Sequence, residues 1–181
     1  MKTKSIISAI TMAFLMLISV NMNAQDFPKM DKSPMDVASF PTNWRNADKL
    51  IKISYSRPQL KGRSLDKLAP KGEVWRTGAN EAAELTLYKD MKLGSTKIPA
   101  GTYTFYVIPG ETEWTAIISK DLNVWGSYFY KKENDVARLN VPVTTAKESL
   151  ESFAIVFEDS KDGAHMHLGW GTVRIAVPFT K

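Results

Sequence analysis

The feature that most restricts this chain is a two-residue beat that starts near Leu50 and runs almost to the end. Ile51, Ile53 and Tyr55 share one parity, while Lys52, Ser54 and Ser56 share the other. The split recurs with Ala83, Leu85 and Leu87 against Glu84, Thr86 and Tyr88, and with Tyr103, Phe105 and Val107 against Thr102, Thr104 and Tyr106. Trp114, Ala116 and Ile118 continue it, followed by Leu139, Val141 and Val143, by Phe153, Ile155 and Phe157, by Met166, Leu168 and Trp170, and by Val173, Ile175 and Val177. Successive side chains of an extended strand point to opposite faces, so this period predicts strands with one face in a core and the other in water. Breaks at Leu93-Gly94-Ser95, Pro99-Ala100-Gly101, Pro109-Gly110, Asp162-Gly163 and Gly171 carry turn chemistry between the runs. No long helical period and no internal repeat intervenes, which makes the expected fold all-β, an antiparallel β-sandwich or jelly roll. A transmembrane barrel needs strands of about 9–11 residues, longer than most of these runs, so a soluble domain is expected.

Residues 1–24 obey a different rule. Lys2 and Lys4 precede the apolar run Ile6–Val20, and the chain then turns polar through Asn21, Asn23 and Gln25. Positive, apolar, then small is the order of a secretory signal peptide. The apolar run is shorter than the roughly 20 residues of a spanning helix, so cleavage is expected rather than anchoring. Ala24 suits the residue before the cut, although Met22 is large for its place. Cleavage there leaves 181 − 24 = 157 residues, with no membrane span remaining. A chain of that size buries about two thirds of its unfolded surface. The sequence has no Cys, which excludes both a lipid-modified N-terminal Cys and stabilising disulfides. The formal charge of +5 becomes 5 − 2 = +3 once Lys2 and Lys4 are removed, too small a surplus to imply nucleic acid. Residues 25–46, with Pro28, Pro34 and Pro41 and no sustained period, read as an N-terminal arm or first-edge segment ahead of a single domain at 47–181.

The beat is interrupted once at length, over residues 57–81. Arg57-Pro58, Lys61-Gly62-Arg63 and Pro70-Lys71-Gly72 break it, and it closes with Trp75-Arg76-Thr77-Gly78-Ala79-Asn80-Glu81-Ala82. Long ordered loops in compact domains usually serve a purpose of their own. Arg57, Arg63 and Arg76 offer planar donor forks for an anion, with Asn80 and Glu81 beside them. The structural alternative has Glu81 paired with one Arg and Asn80 closing a turn. Trp44, Trp75, Trp125 and Trp170, with Tyr128 and Tyr130, could give a stacking platform for sugar rings or fill the core; Trp125 sits in a loop-like setting, whereas Trp114 keeps phase with core residues. His165 and His167 share one face of a strand, as two metal ligands would, but no third or fourth ligand is fixed by the sequence. No cofactor motif is present.

Three landmarks stand in order: Tyr55-Ser56-Arg57-Pro58 with Lys61-Gly62-Arg63, then Val74 to Ala82, then Pro99-Ala100-Gly101-Thr102-Tyr103 leading to Ile108-Pro109-Gly110. With Ser33-Pro34-Met35-Asp36 and Trp125-Gly126, they closely resemble an exported bacterial family filed as "domain of unknown function 2911", over about residues 30–179. The resemblance implies no activity, so no catalytic residue is carried over. One departure is Leu65-Asp66, where the family pattern has an aromatic-Gly pair.

Signatures of thiol, zinc, nucleophile-elbow and phosphate-loop enzymes are absent. The expectation is an exported protein, periplasmic or secreted, that binds a small anionic or sugar-like ligand through Arg57, Arg63, Trp75, Arg76, Asn80, Glu81 and Trp125. Two alternatives stand beside it: a hydrolase or lyase in which Glu81 acts as acid or base and Arg76 steadies an anionic transition state, and an envelope structural or assembly protein with a protein partner.

Overall fold

The computed structural model describes residues 25–181; the expected signal peptide lies outside the described residues. Two compact units are distinguished, Met1–Met30 and Asp31–Lys181. In the first, residues 25–30 carry no regular secondary structure. The second is a sandwich of two antiparallel sheets. One has six strands and the other four.

The strands are β1 (Met35–Phe40), β2 (Ile51–Ser56), β3 (Ala83–Leu87), β4 (Met91–Leu93), β5 (Thr96–Ile98), β6 (Gly101–Ile108), β7 (Glu113–Ser119), β8 (Asp135–Pro142), β9 (Thr144–Ser160) and β10 (Gly163–Thr180). The larger sheet has the order β1-β2-β3-β6-β7-β8 and the smaller β5-β4-β10-β9. A single helical turn, α1 (Leu65–Leu68), interrupts the long irregular passage. Alternation becomes burial directly: Ile51, Ile53, Leu85, Leu87, Phe105 and Ile118 of the larger sheet join one cluster with Phe153, Ile155, Met166, Leu168, Val177 and Phe179 of the smaller. Packing the two apolar faces on each other is how such sheets escape water.

One feature agrees with the first-edge reading and a second departs from the sequence pattern. Residues 35–40, inside the segment read as arm or first edge, form the outermost strand of the larger sheet and pair with β2 from Met35↔Ser56 to Phe40↔Ile51. The prolines at 34 and 41 flank this short strand and conceal its period. The runs after residue 144 are not separate short strands but one hairpin of two long ones, β9 and β10. Gly171 marks no turn. It sits at a register shift, where β10 continues past an irregularity against β9.

The two sheets are also joined by polar links. The Tyr55 hydroxyl accepts from the Ile155 backbone N–H at 2.9 Å, and Arg57 Nε donates to the Phe153 carbonyl at 3.0 Å. From there the chain leaves the larger sheet and runs beside β9: the Leu60 N–H donates to the Glu151 carbonyl, and the Phe153 N–H to that of Pro58. The long passage therefore begins as a strap across one side of the sandwich.

Candidate functional site

Most of the predicted cationic frame is committed to this strap. Arg57 divides its guanidinium between the Phe153 carbonyl and Asp36 Oδ2, the latter at 3.2 Å, and so ties edge strand β1 to β9. Arg63 turns back on its own loop, donating to the carbonyls of Leu60 and Gln59 at 3.0 and 2.8 Å. Part of each guanidinium is thus taken up by the scaffold, while Arg63, exposed, also lines a shallow hollow with Lys32 and Lys61.

Trp75 is a core residue, 4% exposed. Its backbone exchanges two hydrogen bonds with Val107, and its indole stacks on Trp170 at 5.5 Å, with Phe153 and Trp114 meeting it edge-on at 5.0 and 6.4 Å. An aromatic held on three sides by other rings cannot serve as a platform for a ligand. Trp170 and Trp114 belong to the same cluster. Trp44 is exposed, with the Arg45 guanidinium over its ring.

After Trp75 the chain makes a tight excursion, closed where the Ala83 N–H donates to the Arg76 carbonyl at 3.0 Å. Thr77, fully buried, and Asn80 both take left-handed backbone, with φ of 55° and 61°. Asn adopts that region readily, but a β-branched Thr stores about 1–3 kcal/mol of strain there. Gly78 lies flat on β2: a Cβ added to it would stand 3.0 Å from the Ser56 carbonyl oxygen. The Nε of Arg76 is buried without a hydrogen-bond partner.

Arg76 and Glu81 form no ion pair. Glu81 is exposed and pairs through its backbone with Trp125 in an isolated antiparallel bridge, flanked by Gly126 N–H to Asn80 carbonyl at 2.9 Å and Ala82 N–H to Val124 carbonyl at 3.1 Å. Directly opposed residues of an antiparallel bridge project to the same side. The Glu81 carboxylate and the Trp125 indole, 56% exposed, therefore stand on one face.

That face borders a shallow pocket of about 270 Å³ lined by Met35, Ser54, Glu81, Ala82, Glu84, Thr104, Asn123 and Val124. Its floor comes from strand register. Ser54 pairs with Glu84, Glu84 with Thr104, Thr104 with Ser119 and Ser119 with Asp135, so one polar row crosses the outer face of the sheet. Thr104 is fixed by donating to the Asp121 carbonyl at 2.5 Å, which leaves its oxygen free to accept. No Lys or Arg lines the pocket. Ser54 and Thr104 escaped the sequence reading because outward polar residues on separate strands become neighbours only through register, and Asn123 because it lies on the connection between β7 and β8.

His165 and His167 lie on the face of β10 opposite the buried Met166 and Leu168, with rings 6.1 Å apart. His167 Nε2 is 3.1 Å from Glu158 Oε2. Among the described residues no three His, Cys, Asp or Glu gather to hold a metal. No helix among them is long and apolar enough to cross a membrane.

Fold and site together define an antiparallel β-sandwich with a shallow acidic pocket on its larger sheet. Residues 33–179 match the family described as "Protein of unknown function (DUF2911)", and the chain belongs to that family. No curated protein and no solved structure matches it.

Proposed function

We propose that the chain is an exported binding module whose pocket takes a small, uncharged, hydroxyl-rich ligand of the sugar class. The observation behind this is the setting of Glu81: its carboxylate is unpaired, borders the pocket and shares a face with the exposed indole of Trp125. A carboxylate accepts hydrogen bonds from hydroxyl groups, and the flanking Ser54, Thr104 and Asn123 add both donors and acceptors. An indole face offers apolar contact to the C–H side of a sugar ring, with a polar edge free. Of the two expected ligand classes the neutral one suits this pocket, because Glu81 and Glu84 border it and no basic side chain does. Export rests on the composition of residues 1–24.

A panel of neutral mono- and oligosaccharides screened by saturation-transfer NMR tests this reading. A ligand should appear, and Trp125→Ala should weaken it at least tenfold with the fold unchanged. A panel without hits, or hits indifferent to both Trp125→Ala and Glu81→Gln, would sink it. The second carboxylate, Glu84, keeps a hydrolase or lyase as the alternative, since glycoside cleavage uses two carboxyl groups. Turnover that disappears in Glu81→Gln while binding survives would favour the enzyme.

A further inference from the structure

The connection between β7 and β8, from Lys120 to Asn134, covers part of the outer face of the larger sheet and buries a polar cluster at its base. Tyr106, on that outer face, is fully buried, with the ring of Tyr130 packed edge-on at 5.4 Å. Asp121 Oδ1 accepts from Asn134 Nδ2 at 2.6 Å. Asp135 Oδ2 accepts from the Tyr130 hydroxyl at 2.8 Å and from Arg138 Nε at 2.5 Å. Each carboxylate is thus held by one oxygen. The other oxygen of each, Asp121 Oδ2 and Asp135 Oδ1, is closed off from solvent without a hydrogen-bond partner, and so is the hydroxyl of Tyr106.

Three buried, unpartnered oxygens in one cluster need an explanation, because an unsatisfied polar atom away from water is destabilising and a charged one more so. The Asp135 side chain is only 9% exposed, and the cluster sets two carboxylates against one guanidinium, that of Arg138. The fully buried Tyr106 hydroxyl has Asp121 and Asp135 among the charged groups that act on it.

We infer that this cluster binds a hard divalent cation of the calcium class, with Asp121 Oδ2 and Asp135 Oδ1 as anionic ligands, the Tyr106 hydroxyl oxygen as a neutral one and water completing the shell. Hard cations take carboxylate, hydroxyl and water oxygens in flexible arrangements, whereas zinc asks for the nitrogen and sulfur ligands that this cluster lacks. The cation cancels the surplus negative charge that the fold otherwise buries. Its position also has a consequence for the pocket. Asp121 follows the end of β7 and Asp135 opens β8, beside the register shift between Ile118 and Ser119. A cation shared by the two closes the base of the loop that presents Trp125 and Asn123.

Terbium, which replaces calcium and luminesces when excited through neighbouring aromatic rings, is the probe. The protein should give sensitised emission that calcium reverses, and its melting midpoint should be higher in calcium than in EDTA. Asp121→Asn and Tyr106→Phe should each weaken terbium at least tenfold, whereas the double variant Glu81→Gln, Glu84→Gln should leave emission unchanged. If Asp121→Asn does not fold, Tyr106→Phe decides, since it removes only a hydroxyl without a partner. A cluster that holds water alone would show neither emission nor a calcium-dependent midpoint, and that result overturns the inference. Emission lost in the Glu81, Glu84 double variant overturns it as well.

Discussion

Trp75 and Trp125 flank the same excursion, one buried and the other exposed, and truncating each to Ala separates packing from the proposed recognition. The Trp75 indole is closed in by Trp170, Phe153 and Trp114 at 5.5, 5.0 and 6.4 Å. Removing a buried aromatic costs about 3–5 kcal/mol through lost transfer energy and the cavity left behind. Aromatic pairs add roughly 0.5–1.5 kcal/mol beyond area, so the upper end of that range, about 5 kcal/mol, applies here. Domains hold only about 5–15 kcal/mol in total, which puts Trp75→Ala close to the threshold of folding. With a urea slope of about 2 kcal/mol per molar, its unfolding midpoint should fall by about 2–2.5 M. Trp125→Ala, on an exposed loop, should stay within about 0.5 kcal/mol of the parent. Urea titrations followed by far-UV circular dichroism read both. A Trp75→Ala protein that kept its midpoint within about 0.5 M while losing ligand would refute the packing reasoning, for the indole would then be serving the ligand and not the core.

Two further outcomes follow from the sandwich. A Cβ on Gly163 would stand 2.0 Å from the Phe179 carbonyl oxygen, a clash with backbone that no side-chain rotation relieves. Gly163→Ala should therefore destabilise by about 3 kcal/mol or more, and a calorimetric midpoint equal to the parent's would contradict this packing. Burial and nearby Asp135 push the Tyr130 phenol, like that of Tyr106, up to about 12, against 10.0 ordinarily. Between those values the unfolded chain releases protons that the native state retains, so stability should hold up to about pH 10 and fall as pH rises toward 12. Urea midpoints across that range should fall less steeply in Tyr106→Phe; an equal slope would detach Tyr106 from the effect.

The larger sheet was legible in the sequence wherever apolar and polar residues alternate on a strand with one wet face, as at 51–56, 83–87 and 101–108. Legibility failed where that contrast is missing. Residues 144–151 of β9 are almost all exposed, so nothing in their order marks them as half of a long hairpin. Tyr106 falls on the outward parity and is nevertheless fully buried, because a loop rather than a sheet covers it. The irregular passage at 57–81 was visible as an interruption, but not which of its side chains the scaffold uses. Arg57 finds its carbonyl partner on Phe153, a residue that the pattern alone could not bring near, whereas Arg63 closes on its own loop. Glu81 and Trp125 could be singled out as unusual; that they oppose each other across a bridge is a fact of register.

The transverse line from Ser54 through Glu84, Thr104 and Ser119 to Asp135 borrows one residue from each of five strands. Slipping any strand by a single position would turn its contribution toward the interior. The row is therefore a late property of the chain: no excised hairpin carries it whole, and a half-assembled molecule does not display it. Whatever selective pressure bears on the hollow must act through the alignment of the whole barrier of strands beneath it.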